Sequence, residues 1–243
     1  MAGPTPQQLI VVAVVFCLLL TVLSPSSSSV TRMFSNRHGH GERGITDRVV
    51  TLLPHGHTFV EMGANDGVNS NSNWLESIGW TGLCIEAGPS NYKLLEKNRP
   101  KCTNINAVVS NKESSTIFRE FPSGDLYGHS GLHDFRTDAE WDKLMREHNS
   151  PPFVDHEVRT STLSKIFKEQ SYTSIDYFSL DVEGVELAIL NLYPFEEVPV
   201  RVWTIESNKL DRNELVTFME KKGYWCEHHY DNVNTICGSK VHL

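Results

Sequence analysis

The stretch from Phe59 to Glu86 constrains this chain more than any other. It reads as an apolar strand, a glycine turn, a helix and a second strand that ends in a carboxylate. A glycine turn between strand and helix directs backbone N–H groups and the positive helix end at one place, which suits an anionic group. An acid at the tip of the next strand suits ribose hydroxyls, and the 23 positions from Gly63 to Glu86 are close to the usual spacing of about 20. The stretch therefore predicts a nucleotide-like ligand.

The turn from Gly63 to Gly67 argues against a dinucleotide. It lacks the middle glycine that lets a backbone approach a pyrophosphate. Glu61 precedes the turn and Asp66 lies inside it. Carboxylates there would repel phosphates and attract an ammonium or sulfonium group, such as S-adenosylmethionine carries. The alternative is that these two acids only cap the following helix.

Strand and helix patterns alternate along most of the chain. Strands are expected at Thr58–Met62, Leu83–Glu86, Asn104–Val109, Ile175–Leu180 and Val200–Ile205, with a final antiparallel hairpin at Tyr224–Tyr230 and Thr235–Cys237. Helices are expected from about Ile45, through Trp74 to Ile78, from Ser90 towards Pro100, and at Leu163–Phe167, Val185–Leu192 and Arg212–Lys222. This order predicts an α/β fold with a doubly wound, mostly parallel sheet and an antiparallel edge strand.

The sequence divides into three regions. Residues 1–24 are an apolar anchor or signal segment, and residues 25–44, rich in serine, glycine, histidine and arginine, are expected to form a flexible stalk. Residues 45–243 are expected to form the folded domain. Within it, the pattern loosens at about 111–156, which predicts an insertion across the ligand crevice, partly helical from Ala139 to Glu147. Such segments commonly set substrate choice.

The apolar run from Leu9 to Leu23 indicates a membrane or secretory destination. Its 15 residues are short for a spanning helix of about 20 and long enough for the apolar part of a signal peptide. We interpret it as a single-pass anchor in the secretory pathway (ER or Golgi), with secretion after signal cleavage as the alternative. Basic residues that follow the run favour the cytosolic face for the domain, whereas an even number of cysteines outside it favours an oxidising lumen.

The four cysteines of the folded region differ in their expected state. Cys226 and Cys237 lie on the two arms of the predicted final hairpin, where they could form a disulfide. Cys84 lies inside the second strand and Cys102 just before the third, so these two are expected to be buried thiols.

The net charge argues against a nucleic-acid partner. The chain has 22 lysines and arginines against 30 acidic residues, for a net charge of -8. No basic stripe interleaved with aromatic residues is present, so the electrostatic surface that nucleic-acid binding needs is missing.

Carboxylates follow four of the predicted strands or lie near their ends. They are Glu61, Glu86, Asp181 and Glu206. In an open α/β sheet, ligands bind outside the carboxyl ends of the strands, so these acids are expected to gather at one crevice. A single acid of this kind is usually a helix cap or a surface charge, but four form a pattern. The segment Ser179–Glu186 is especially acidic, although acids also favour the first turn of a helix.

Four segments together resemble the FkbM family of S-adenosylmethionine-dependent methyltransferases: VEMGANDGVNSNSNWLE, GLCIEAGPSNYKLL, NINAVVS and IDYFSLDVEGVELAIL. The resemblance covers roughly residues 58–237 and implies a class I methyltransferase, Rossmann-like fold, as in membrane-tethered animal members. The cofactor contacts it implies are Glu61, Gly63, Ala64, Asn65 and Asp66 at the methionine end, Glu86 at the ribose hydroxyls, Asn106 and Ala107 beside the adenine, and Asp181 near the sulfonium.

The activity that the resemblance implies is methyl transfer to a hydroxyl of a sugar, a glycan or another small acceptor. A hydroxyl acceptor needs a general base. The candidates by position are Asp181, Glu183, Glu206 and the insertion histidines His129 and His133. We expect no metal to be required, although Asp181, Glu206 and Asn208 offer the oxygen ligands that a divalent cation prefers.

A second hypothesis is a methyltransferase-like domain that no longer catalyses and serves as a membrane-tethered trafficking or binding module. Intact acids at the strand ends favour the enzyme. A third, a nucleotide-sugar glycosyltransferase, would require a D-x-D metal motif, which the sequence lacks.

Overall fold

A seven-stranded sheet forms the centre of the computed structural model, which describes residues 43–68, 70–121, 130–229 and 232–243. The apolar run, almost all of the expected stalk and His129 lie outside the described residues. Among the described residues, no helix has the length and apolar character needed to cross a membrane.

The helices are α1 (Arg43–Leu52), α2 (Asn73–Ser77), α3 (Pro89–Asn98), α4 (Asp138–Glu147), α5 (Leu163–Glu169), α6 (Glu186–Leu192) and α7 (Arg212–Lys221), with a short 3-10 helix at His133–Phe135. The strands are β1 (Thr58–Met62), β2 (Thr81–Glu86), β3 (Thr103–Asn106), β4 (Val108–Val109), β5 (Ser114–Glu120), β6 (Gly131–Leu132), β7 (Val154–Ser161), β8 (Ile175–Leu180), β9 (Val200–Glu206), β10 (Tyr224–His228) and β11 (Asn234–Ser239).

The central sheet has the strand order β10-β11-β9-β8-β1-β2-β3. The neighbours from β9 to β3 all pair in parallel, whereas β11 is antiparallel to both β9 and β10. The predicted α/β fold with an antiparallel hairpin at one edge is confirmed. It is β11 that pairs with β9, so the last strand of the chain lies one place in from the edge.

The parallel strands are covered on both faces by helices. Val60 and Met62 of β1 belong to one core, which includes side chains of α5, α6 and α7. Phe59 belongs to a second core, which includes side chains of α1, α2 and α3. Alternate residues of a strand point to opposite faces, and both faces are apolar here because both are buried. The fold is therefore doubly wound.

Side-chain caps fix where several helices begin. Thr162 accepts a hydrogen bond from the Lys165 amide before α5. Asp211 accepts from the amides of Asn213 and Glu214 before α7. These contacts satisfy amides that have no partner inside the helix. The α7 start expected at Arg212 is observed.

A second, four-stranded sheet has the order β4-β7-β5-β6. The single strand expected at Asn104–Val109 is wrong, because the chain leaves the central sheet after Asn106 and enters this second sheet at Val108. Strands β5 and β6 and the start of β7 were not expected in the 111–156 region. Only Phe118 and Glu120 of β5 are buried, and one of these is an acid, so the sequence shows little of the apolar alternation that marks a strand. The helix expected from Ala139 is α4.

Two disulfides are present in the folded domain. The expected bridge between Cys226 and Cys237 joins β10 to β11. Cys84 and Cys102 also form a disulfide, with their Cα atoms 6.1 Å apart, so the expectation of buried thiols is wrong. Because β2 and β3 pair with Cys84 opposite Asn104, the segment before β3 brings Cys102 alongside β2.

Candidate active site

A cavity of about 270 Å³ opens at the carboxyl ends of the central strands. The sheet side of its lining includes Met62, Gly63, Asn65, Ile85, Glu86 and Asp181, and the loop from Val182 to Val185 continues it. Further lining comes from the second sheet and from residues close to β6 in the chain: Val108, Phe118, Ser130, Gly131, Leu132 and Arg136. This is the place where open α/β sheets bind ligands.

The backbone amides of the glycine turn after β1 donate hydrogen bonds to β2. Gly63 and Asn65 both have positive φ, 87° and 52°. The amides of Gly63 and Ala64 donate to the Ile85 carbonyl at 3.0 and 3.2 Å. The Asn65 amide donates to Oε2 of Glu86 at 2.8 Å. The first amides of the turn therefore bind β2 and its terminal acid, and are not left for an anionic ligand.

The helix that was expected to leave this turn starts later. Asp66 accepts a hydrogen bond from the Val68 amide at 2.9 Å, which closes the turn on itself. Helix α2 begins only at Asn73, after Ser72. The glycine turn and the helix N-terminus are thus separate features, and Asp66 acts as a turn-forming side chain.

Glu61 is buried beneath the segment that follows the turn. Its carboxylate accepts hydrogen bonds from the Ser70 hydroxyl at 2.6 Å and the Asn71 amide at 2.7 Å, and from the Ser72 hydroxyl. Nη1 of Arg99 lies 3.7 Å away, and that side chain is also buried. Glu61 is not among the described residues that line the cavity. The resemblance implied that Glu61 contacts the cofactor. In the structure, Glu61 instead holds the segment after the turn in place.

Glu86 ends β2 and lines the cavity while being 93% buried in the folded chain. Besides the Asn65 amide, its carboxylate accepts the Gly88 amide at 2.7 Å. Burial raises the pKa of Glu86 to about 7, and the nearby charge of Glu120 adds to the effect. Each carboxylate oxygen holds one amide and keeps capacity for another donor.

Asn106, at the end of β3, holds the backbone of Glu86 in place. Nδ2 of Asn106 donates to the carbonyls of Glu86 at 2.8 Å and Ala87 at 3.0 Å. Ala107 lines the cavity directly, whereas Asn106 is not among its described lining residues. Asn106 therefore fixes the backbone beside the cavity, and Ala107 forms part of its wall.

Glu120 is a buried acid near the cavity that the sequence reasoning missed. Its Oε1 accepts the Ser90 amide at 3.0 Å, and its Oε2 lies 3.0 Å from Nε2 of His156. It is 2% exposed. The only available signal was an acid in strand β5, and that strand was not recognised.

Three carboxylates converge at the ends of β8 and β9. Asp181, Glu186 and Glu206 each offer an oxygen within 4.8 Å of the others. Desolvation raises the pKa of Asp181 well above its ordinary value, and the negative charge of Glu206 adds to it. Desolvation also raises the pKa of Glu206. Because their carboxylates lie this close together, Asp181 and Glu206 titrate as an interacting pair.

Glu186 was missed as a member of this group. Its Oε1 accepts the amides of Val182 at 3.1 Å and Gly184 at 3.0 Å. The signal in the sequence was its position five residues after Asp181 at a helix start. Asn208, the third oxygen ligand suggested by the sequence, is exposed.

The remaining base candidates lie apart from one another. Glu183 lines the cavity and forms an ion pair with Lys209. His133 is partly exposed, lies 3.4 Å from Asp134, and is not among the described lining residues. Arg136, three residues on, lines the cavity with its guanidinium 4.7 Å from the ring centre of Trp141. Its desolvation lowers its pKa.

Residues 61–226 match the family model described as "Methyltransferase FkbM domain". No curated protein matches the sequence. The METTL16 methyltransferase domain is similar in structure, with 10% identity and a TM-score of 0.48, over 81% of this chain and 66% of that one. A putative caffeoyl-CoA O-methyltransferase from Staphylococcus aureus has 12% identity and a TM-score of 0.45, over 92% and 97%. M. capricolum TrmK, in complex with S-adenosyl-homocysteine, has 10% identity and a TM-score of 0.40, over 80% and 66%.

Proposed function

Because the chain belongs to the FkbM methyltransferase family, we propose that it transfers a methyl group from S-adenosylmethionine to a hydroxyl of a sugar, a glycan or another small acceptor. The observation that carries this proposal is that Glu86 and Asp181, at the ends of two strands, line one cavity. Acids in these places suit the two ends of a cofactor that carries ribose hydroxyls and positive charge.

Glu86 would hold the ribose. A buried carboxylate with unused acceptor capacity is a strong partner for two neighbouring hydroxyl donors. The amides of Asn65 and Gly88 already fix its orientation, so little rotamer freedom is lost on binding. Ala107 and Val108 offer the apolar wall that an adenine ring needs.

Asp181 would face the cationic end. S-adenosylmethionine supplies the methyl group from a sulfonium. Asp181 and Glu183 line the cavity, and both carry carboxylates that attract a sulfonium or an ammonium group. Gly63, directly after β1, lies against the backbone of Asp181, and this contact brings the two halves of the site together.

The Asp181 and Glu206 pair would take the proton of the acceptor hydroxyl. Desolvation raises the pKa of both groups, which brings a carboxylate closer to the pKa that a general base needs at neutral pH. Asp181 lines the cavity and would receive the proton, and the nearby carboxylate of Glu206 would favour the protonated form of Asp181. Glu183 is the weaker candidate, because Lys209 already pairs with it.

We place the domain in an oxidising compartment, anchored by the apolar run from Leu9 to Leu23. Two disulfides within one domain are typical of lumenal and extracellular proteins. Protease protection of the domain in intact microsomes supports this placement, and digestion without membrane permeabilisation contradicts it.

Label transfer tests the activity. Full-length chain is incubated with methyl-labelled S-adenosylmethionine and a fractionated extract of small molecules and glycans, and products are identified by mass spectrometry. Wild type is expected to label an oxygen of at least one acceptor, and Asp181→Asn to lower the rate at least about a hundredfold. Glu227→Gln, which removes an acid of the distant strand β10, is the matched control. Equal labelling by wild type and Asp181→Asn contradicts the assignment, and cofactor binding without any transfer supports the inactive binding module.

A further inference from the structure

Three carboxylates meet beside the cavity with more negative charge than their surroundings balance. The oxygens of Asp181, Glu186 and Glu206 lie within 4.8 Å of one another. Glu186 is completely buried and Glu206 is 8% exposed. We propose that these three side chains bind a divalent cation of the oxygen-preferring class, Mg²⁺, Mn²⁺ or Ca²⁺.

The spacing suits such an ion. Oxygens bind Mg²⁺ at about 2.0–2.1 Å and Ca²⁺ at about 2.3–2.6 Å, so two ligands on opposite sides of the ion lie about 4–5 Å apart. The widest separation in the cluster does not exceed that span. The ligands need little or no movement to share one ion.

Two buried oxygens point independently to a missing partner. Oε2 of Glu186 and Oε2 of Glu206 are inaccessible to solvent and have no hydrogen-bond partner among the described residues. The other Glu186 oxygen is held by the amides of Val182 and Gly184, so this side chain cannot turn to satisfy both oxygens at once. Buried carboxylate oxygens are almost always paired or bound to a metal.

The protein offers no full counter-charge of its own. In the part of the chain that the structure describes, no lysine or arginine forms an ion pair with Asp181, Glu186 or Glu206. Lys209 is near enough to interact with Asp181 and Glu206 electrostatically, but its ammonium is bonded to Glu183. A dication neutralises most of the remaining charge.

The role that we give to this cation, binding the methyl acceptor, rests on the proposed function. It also indicates which kind of acceptor the site would take. Asp181 belongs both to the cluster and to the cavity wall, so an ion held by it is open to the cavity on that side. An acceptor with two adjacent oxygens, such as a vicinal diol of a sugar, could bind the ion through both. Such binding orients one hydroxyl and favours loss of its proton.

Binding of Mn²⁺ to the full-length chain, without cofactor, tests the site through the loss of the free-ion signal in electron paramagnetic resonance. Wild type is expected to bind one ion with a Kd at or below about 1 mM. Glu186→Gln and Glu206→Gln are each expected to weaken binding at least about tenfold. Glu227→Gln removes the same charge elsewhere and is expected to leave binding unchanged. No binding by wild type, or equal binding by wild type and both cluster variants, overturns the proposal.

Thermal unfolding keeps the test informative if a variant folds poorly. Mn²⁺ is expected to raise the Tm of wild type, because it binds only the folded chain. The metal-free variants are expected to be at least as stable as wild type, because each loses an unpaired buried charge, and Mn²⁺ is expected not to shift their Tm. A wild-type Tm that does not respond to Mn²⁺ counts against the site. Binding of S-adenosylhomocysteine, measured separately without metal, shows whether the methyltransferase assignment stands on its own.

Discussion

Gly63 and Asp181 approach so closely that a Cβ on Gly63 would lie 1.7 Å from the carbonyl oxygen of Asp181. Gly63 directly follows β1 and Asp181 directly follows β8, and the Asp181 amide also donates to the Met62 carbonyl at 3.0 Å. The two strands that carry the proposed cofactor and acceptor sides therefore meet at a point where only glycine fits.

Replacing Gly63 with alanine is expected to force β1 and β8 apart. Gly79 provides a matched control, since it also has a positive φ, 98°, but a Cβ there would meet no atom within 4 Å. Gly79→Ala is expected to cost about 1–2 kcal/mol for its backbone conformation alone, and Gly63→Ala about 1–3 kcal/mol more from overpacking. Urea unfolding measures both. Equal losses in the two variants would mean that the close approach does not matter.

Ligand binding is expected to depend on the ionisation of Glu86. Its pKa in the folded chain is about 7, above the ordinary 4.5, and only the carboxylate accepts two hydroxyl donors. Affinity for S-adenosylhomocysteine should therefore rise as the pH increases from about 6 to about 8, by up to about tenfold per unit below the pKa. The comparison is with Glu86→Gln, whose affinity is expected to be lower and to lose this part of the pH dependence.

The same shift predicts the sign of an effect on stability. The pKa of Glu86 is higher in the folded chain than in the unfolded chain. Its contribution to the free energy of unfolding is therefore fully present below about pH 4.5 and is lost as the pH rises through about 7. The free energy of unfolding of Glu86→Gln, relative to wild type without ligand, should thus increase with pH across this window. A difference that falls with pH contradicts the assignment of the shift to this residue.

Arg99 is expected to be essential to the segment after the glycine turn. It is 1% exposed and bonds Glu76 at 2.5 Å and Ser70 at 2.7 Å, beside the buried Glu61. Arg99→Leu would leave Glu61 without a cation and should cost about 3–5 kcal/mol. Arg48→Leu breaks a pair with Glu227 of similar length at a half-exposed site and should cost less than about 1 kcal/mol. Similar Tm losses in both variants would contradict the structural role given to Glu61.

Thiol mapping tests the disulfides. Peptides from the non-reduced full-length chain should link Cys84 to Cys102 and Cys226 to Cys237, leaving only Cys17 open to alkylation. The bridges close loops of 18 and 11 residues, so replacing either pair with serine should cost about 3 kcal/mol. Alkylation of all five cysteines without reduction contradicts both the bridges and the oxidising compartment proposed for the domain.

The sequence was informative where a strand is buried on both faces. The ranges Thr58–Met62 and Ile175–Leu180 were predicted with their observed bounds, because both strands are apolar runs that end in recognisable turns. It was uninformative for β5, which buries only Phe118 and Glu120 and is held by pairing with β7. Long-range pairing of that kind leaves no local pattern.

In the candidate site, too, some residues could be predicted from the sequence and others could not. Glu86 and Asp181 were predicted from their places at strand ends, and both line the cavity. Glu61 has the same sequence signal, but side chains on one strand alternate between faces, and Glu61 points to the side on which Arg99 and Ser70 are buried. Glu186 and Glu120 reach the region through a helix start and an unrecognised strand, which only the tertiary structure brings together.

Calorimetry of the full-length chain with S-adenosylhomocysteine tests the central claim most directly. Wild type is expected to bind one equivalent, Glu86→Ala to bind at least about tenfold more weakly, and Glu227→Ala to match wild type. No binding by wild type, or equal binding by wild type and Glu86→Ala, would contradict the placement of the cofactor at the ends of β1 and β2.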